Sequence, residues 1–182
     1  MGNKYSKIDP KQLDELLLKT KFTDTEIKKR HKLFFKDFPS GKINLDKFQK
    51  LFSHVFPNGD ESRFVEHAFK IFDTDGDGFV DFSEYIIAIS ITSRGDPEQR
   101  LEWAFSMFDL DGDGFITRQE MLETIRSVNK MVGNNTGMLK TGQHSQISAQ
   151  KYVNKIFDKM DKNKDGKLSK EEFVVSAKNV FI

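Results

Sequence analysis

Three stretches of the chain, Asp73 to Glu84, Asp109 to Glu120 and Asp161 to Glu172, repeat one spacing of oxygen-bearing side chains over twelve residues. Each opens on Asp, carries Asp or Asn at its third place, Asp at its fifth, Gly at its sixth and Glu at its twelfth. Three matches in one register are not an accident of composition. The glycines at the sixth place mark sharp turns whose backbone a β-carbon would penalise.

A hard cation of calcium's size takes six to eight oxygens at about 2.3–2.6 Å. In the first loop Asp73, Asp75 and Asp77 offer side-chain oxygens, Phe79 a backbone carbonyl and Glu84 two oxygens, with Asp81 at the water-bridged ninth place. The second offers Asp109, Asp111, Asp113, Phe115 and Glu120; the third offers Asp161, Asn163, Asp165, Lys167 and Glu172. This is the calcium-loop pattern of the EF-hand. It predicts three Ca²⁺ sites, with Mg²⁺ in the same sites at resting calcium. Val80, Ile116 and Leu168 hold the apolar eighth place, where paired loops join in a short two-stranded contact. Carboxylate-bearing places number five, four and three in chain order, so the Asp161 loop should be the weakest.

Counting back 37 residues from Gly78 reaches Gly41 and a fourth loop at 36–47. Lys36 and Lys47 stand there at the first and twelfth places, and Phe38 and Pro39 at the third and fourth. Two ammonium groups in place of anionic ligands exclude calcium, while Ile43 keeps the apolar eighth place. This hand is expected to be a structural partner for the second, because hands bury their apolar faces in pairs.

Composition removes other classes. The 182-residue chain has a formal charge of +1, which gives no broad attraction to nucleic acid, and no cysteine, which excludes disulfides and thiol catalysis. The polar, lysine-bearing start is unlike a secretory signal, and the longest apolar run is too short to span a bilayer. His31, His54, His67 and His144 make no metal-ligand spacing, and no nucleophile elbow or phosphate loop is present. The chain reads as a non-enzyme.

An all-α fold of two EF-hand pairs follows, the first hand degenerate, with short β contacts between paired loops. Asp9-Pro10 with Gln12, and Thr23 with Glu26, read as helix starts. Ser93-Arg94-Gly95-Asp96-Pro97 breaks the pattern, placing an N-terminal pair at 1–94 and a C-terminal pair at 95–182. Between the last two hands the glycine spacing widens from 36 to 52 residues, and Gly133 to Ser148 reads as a mobile insert.

Phenylalanine is abundant: 18 residues, 12 of them in the first 91. Phe48, Phe52 and Phe56 recur at helical spacing, and Phe82 is followed by Tyr85, Ile86 and Ile89. Core packing accounts for most of these rings, but the surplus in the half with the dead loop suggests a groove for a helix or a lipid chain. Met1-Gly2-Asn3-Lys4-Tyr5-Ser6 fits the acceptor pattern for N-myristoylation on Gly2.

The chain resembles the neuronal calcium sensors, the recoverin- and frequenin-like proteins, and is nearest their frequenin branch. The resemblance covers nearly the whole length. It rests on the myristoyl start, Lys36-Asp37-Phe38-Pro39-Ser40-Gly41, Phe48-Gln49-Lys50, Phe56-Pro57-Asn58-Gly59-Asp60, Thr92-Ser93-Arg94-Gly95 and Ile116-Thr117-Arg118. It implies a groove that includes Phe34, Phe48, Leu51, Phe52, Val55 and Phe56, with Phe82, Tyr85 and Ile89 on its far side. It also implies swivel points at Gly41 and Gly95. Phe38-Pro39 departs from the family's usual Cys-Pro, and Arg30-His31 replaces an aromatic pair near the groove's rim.

The expected function is therefore a calcium sensor that binds three Ca²⁺ and regulates membrane-associated targets through a calcium-exposed groove. The targets implied are a lipid kinase, receptor, channel or cyclase, each presenting an amphipathic helix. The myristoyl chain would hold the protein at the membrane surface, giving a cytoplasmic, peripheral location. Two alternatives stand beside this: a calcium buffer, whose hands barely open, and a calcineurin-B-like phosphatase subunit, against which Lys36 and Lys47 argue.

Overall fold

The structure, a computed structural model, describes residues 7–55, 63–132 and 143–181. Among these the elements run α1 (Pro10–Lys19), α2 (Asp24–Asp37), β1 (Lys42–Ile43), α3 (Leu45–Val55), α4 (Arg63–Phe72), β2 (Val80–Asp81) and α5 (Phe82–Arg94). They continue with α6 (Pro97–Phe108), β3 (Phe115–Thr117), α7 (Arg118–Val132), α8 (Gln143–Met160), β4 (Lys167–Ser169) and α9 (Lys170–Phe181). The fold is all-α, with two EF-hand pairs and only short antiparallel strand contacts. The chain divides into one compact unit of residues 1–48 with 69–96 and another of 49–68 with 97–182, so α3 and α4 are each shared between them.

In the first unit, local chemistry sets the helix starts. The Asp9 carboxylate accepts from the Lys11 and Gln12 N–H groups, with Pro10 at the first helical position where its missing N–H costs nothing. Thr23 and Glu26 form a reciprocal capping box at the start of α2. Leu13 and Leu16 of α1, Ile27 and Phe34 of α2, and Phe82 and Ile86 of α5 are buried. Full burial of each such side chain contributes roughly 1.5–3 kcal/mol. Strands β1 and β2 pair Ile43 with Val80, and both side chains are almost fully buried.

Around the end of α5 a polar clasp closes over an aromatic ring. The Arg94 guanidinium donates to both carboxylate oxygens of Glu26, at 2.9 and 2.5 Å, and to the Lys21 carbonyl. Arg94 and Arg30 both lie over the buried Phe22 ring, 4.6 and 4.5 Å from its centroid. The hydrogen bond from Arg94, with those from the Thr23 N–H and hydroxyl, lowers the Glu26 pKa to about 2 against the upward effect of desolvation. Gly95 follows directly: a Cβ there would stand 2.4 Å from the Ile91 carbonyl oxygen, so only glycine fits. At Gly41, φ is 73° and a Cβ would meet the Phe35 ring at 2.9 Å.

In the second unit the core gathers Phe105, Ile116, Met121, Val153, Phe157, Met160, Leu168, Phe173, Val174 and Ala177. Strands β3 and β4 pair Ile116 with Leu168, both fully buried. The α4 segment in this unit is held by His67, whose Nε2–H donates to the Ser106 carbonyl at 2.7 Å. One expectation needs correction. Helix α8 begins at Gln143, so the end of the stretch from Gly133 to Ser148 is helical and not a loop insert, while 133–142 lie outside the described residues. Polar, low-hydrophobicity sequence hid a helix that buries Ala149, Val153, Phe157 and Met160.

Candidate metal centres

Each loop is clamped between an entering and an exiting helix, and its side chains turn inward by a shared set of local hydrogen bonds. In the first loop the Asp73 Oδ2 accepts from Gly78 N–H, Asp75 Oδ1 from Asp77 N–H, and Asp77 Oδ1 from Phe79 N–H, all at 2.9–3.0 Å. Gly114 and Gly166 donate in the same way to Asp109 and Asp161. Gly78, Gly114 and Gly166 have φ between 81° and 86°, the left-handed conformation that lets a sixth-place N–H face the first-place carboxylate. The fourth place needs the same hand: Gly76 and Gly112 supply it freely, whereas Lys164 adopts it at φ 59° against steric resistance.

The exit helices begin on the same carboxylates. Asp81, Thr117 and Ser169, the ninth residues, each accept from the N–H of the twelfth-place glutamate and donate their own N–H to that glutamate's Oε2. Each is a capping box, with Glu84, Glu120 and Glu172 as its third-position acid. The other oxygen of each glutamate reaches back to the start of its loop: Glu84 Oε1 accepts from Thr74 N–H at 2.8 Å, and Glu120 and Glu172 do the same with Leu110 and Lys162. One side chain thus ties the loop's beginning to the helix that leaves it. This coupling was legible in the Asp-x-x-Glu, Thr-x-x-Glu and Ser-x-x-Glu spacings, although the motif reading took the ninth place only as a water-bridged ligand.

The donor sets suit a hard divalent cation. One oxygen each from Asp73, Asp75 and Glu84 lies within 4.8 Å of the other two, and Asp109, Asp111 and Glu120 converge equally. Asp73 Oδ1 is buried without a hydrogen-bond partner, although its carboxylate points into the loop. A buried carboxylate oxygen left without a donor is costly, and a cation among the neighbouring carboxylates satisfies it. Asp109 is buried, and that burial pushes its carboxyl above the ordinary range against the N–H bonds from Gly114 and Gly112. Around Glu172 burial acts upward too, but the N–H and hydroxyl of Ser169 and the N–H groups of Asn163 and Lys162 outweigh it, and its pKa falls. The loop at 36–47 keeps its strand contact, its positive-φ glycine and a helix cap, in which Asn44 Oδ1 accepts from Lys47 N–H at 3.1 Å, but no carboxylate stands at its twelfth place.

Residues 98–176 match the EF-hand domain pair and residues 64–91 the EF hand domain. The chain is 46% identical to neuronal calcium sensor 1 of Lymnaea stagnalis over 178 residues, covering 98% of this chain and 91% of that protein. The protein belongs to the neuronal calcium sensor family. Neuronal calcium sensor 1 of Aplysia californica is 44% identical over the same shares. Human recoverin is 38% identical, with 96% of this chain and 86% of that protein covered.

The apolar residues that the neuronal calcium sensor resemblance placed in a groove fall in different settings. In the first unit Phe34 packs edge-on to Phe82 and at a tilt to Tyr85, centroids 5.5 and 5.3 Å apart, and Ile89 is half-buried. His31 adds to this cluster, 4.4 Å from Phe35 and edge-on to Phe82 at 4.9 Å. Phe48 is buried against Phe69 and Phe72. In the second unit Leu51 is exposed and Phe52 half-buried, 6.3 Å from Phe64. Val55 ends α3, while Phe56 and Gly2 lie outside the described residues. No helix among the described residues is long and apolar enough to cross a membrane.

Proposed function

We propose that this neuronal calcium sensor family member is a calcium sensor that takes up three Ca²⁺, at the loops 73–84, 109–120 and 161–172. The observation that carries the reading is the partnerless buried oxygen of Asp73 beside the converging carboxylates of Asp75 and Glu84. In the Asp73 loop, Asp73, Asp75, Asp77, the Phe79 carbonyl and Glu84 would hold the ion, which would supply a divalent charge attractive to hard oxygen donors. Glu84 then has to balance that pull against its N–H donors from Thr74 and Asp81. Because Glu84 is the third residue of α5, its displacement turns the helix that carries Phe82, Tyr85 and Ile89.

The cluster of Phe34, Phe82, Tyr85 and Ile89 is the surface that such a movement uncovers. Phe34 and Phe82 are buried, so their exposure to a partner requires the helices to part. An amphipathic helix of a membrane-associated target, of the lipid kinase, receptor, channel or cyclase kind, fits an apolar surface of this sort. Myristoylation at Gly2 supplies a reversible hold on the cytoplasmic face of membranes, because a single acyl chain gives an association constant near 10⁴ M⁻¹.

Vesicle sedimentation of acylated protein and its Gly2→Ala variant, each with calcium and with chelator, tests the membrane part. Loss of sedimentation in the variant is expected. Equal sedimentation of both proteins under both conditions removes the lipid anchor.

A further inference from the structure

The two loop pairs share an arrangement that the metal-ligand pattern does not require. Lys42 occupies the seventh place of the degenerate loop, and Lys167 the seventh place of the Asp161 loop. Each reaches across its strand pair to the fifth-place ligand of the other loop. Lys42 Nζ lies 2.5 Å from Asp77 Oδ2, and Lys167 Nζ lies 3.4 Å from Asp113 Oδ2. Each ammonium also lies over the seventh-place ring of the loop it reaches, Lys42 4.8 Å from the Phe79 centroid and Lys167 5.3 Å from that of Phe115.

The surroundings match in detail. Both rings are 38% exposed. The remaining oxygens, Asp77 Oδ1 and Asp113 Oδ1, each accept a backbone N–H at 2.9 Å from the residue two places on. No lysine returns the contact, because the seventh residues of the receiving loops are Phe79 and Phe115. The fifth-place Asp165 of the remaining calcium loop is met by a neutral partner, the Asn163 amide, at 2.9 Å. Two loops of the three therefore have a ligand shared with a lysine supplied by the neighbouring loop.

We propose that Lys42 and Lys167 set the calcium affinity of the Asp73 and Asp109 loops by acting as built-in counter-cations on Asp77 and Asp113. The degenerate hand, having no ion of its own, thereby acts on its partner's ion through Lys42 as well as through the Ile43–Val80 contact. An ammonium on the ligand's second oxygen withdraws charge from the carboxylate and repels the divalent ion beside it. Cation–π contact with the ring fixes the ammonium there without neutralising it. The effect holds affinity down, and places a loop rich in carboxylates within reach of signalling calcium concentrations instead of those of a permanent site. This inference rests on calcium uptake by the loops.

The test isolates one loop at a time. With Glu120→Gln and Glu172→Gln silencing the second unit, calcium titration calorimetry is run on the parent, Lys42→Met and Lys42→Arg. Methionine keeps an apolar chain over the ring and loses the charge; arginine keeps the charge. Lys42→Met should bind calcium about 3–10-fold more tightly at low salt, Lys42→Arg should match the parent, and the difference should shrink near 1 M salt, where the Debye length is about 3 Å. Lys167→Met in a Glu84→Gln, Glu172→Gln background should tighten the Asp109 loop in the same direction, and it stands as the second test if Lys42→Met does not fold. Unchanged or weaker binding in a charge-removing variant overturns the inference. A parent that binds no calcium fails the sensor reading itself, a result distinguishable from either.

Discussion

Asp81 and Glu84 cap one helix end reciprocally: the Asp81 carboxylate accepts the Glu84 N–H at 2.9 Å, and the Glu84 carboxylate accepts the Asp81 N–H at 3.0 Å. Glu84, the third residue of α5 and half of its cap, is also the residue proposed to close a calcium shell. An ion drawn to Glu84 therefore acts on the helix by way of the same side chain, and the same construction recurs at Glu120 and Glu172.

The ranking of the three loops follows from their charge. Glu84→Gln keeps a competent capping residue but removes one of five carboxylate-bearing places in the Asp73 loop. It should abolish calcium uptake at that loop, and with it the tightest step. Glu172→Gln should remove the weakest step and leave the tightest intact. Calorimetry of the two variants checks the order, and loss of the tightest step in Glu172→Gln would reverse it.

Lys164 gives the Asp161 loop a second handicap. It holds the left-handed conformation that glycine holds in the other two loops, at a cost of about 1–2 kcal/mol for a residue with a β-carbon. It also adds a positive charge inside the loop. Lys164→Gly removes both, and calcium affinity at this loop should rise severalfold with no change at the other two. Lys164→Gln, which removes the charge alone, should recover only part of the gain.

How much of this could be read in advance differs between the loops and their surroundings. The convergence of Asp73, Asp75 and Glu84, that of Asp109, Asp111 and Glu120, and the Ile43–Val80 and Ile116–Leu168 contacts were legible because an inward-turned loop and a strand pair each impose a fixed spacing along the chain. The dead loop was legible for the same reason, as lysines at places where the shell needs anions. What lay beyond reach was long-range: the Lys42–Asp77 pair joins residues 35 apart, and Arg94 meets Glu26 68 residues away. No local spacing encodes such partners. The start of α8 at Gln143 was missed because the polar composition of its first residues resembles that of a loop.

His31 gives stability a pH dependence. Burial among Phe35 and Phe82 lowers its pKa, so the folded protein keeps the ring neutral while the unfolded chain protonates it near 6.5. Below that value the unfolded state binds the extra proton. His31's contribution is thus fully present above about pH 6.5 and declines as pH falls toward the depressed folded pKa, with a slope of at most about 1.4 kcal/mol per pH unit. Urea unfolding in chelator between pH 7.5 and 5 should show this slope in the wild type and not in His31→Phe. An unchanged slope in the variant would assign it to another group.

Calcium-driven exposure of the apolar residues carried by α2 and α5 is the central claim, and binding of an environment-sensitive apolar dye measures it most directly. Dye emission should rise when calcium is added to the wild type, return with chelator, and be blunted in Glu84→Gln, with Trp103 emission shifting alongside calcium uptake in the second unit. Equal dye emission in calcium and in chelator, in a protein that calorimetry shows to have bound the ion, would contradict the account and leave a calcium buffer.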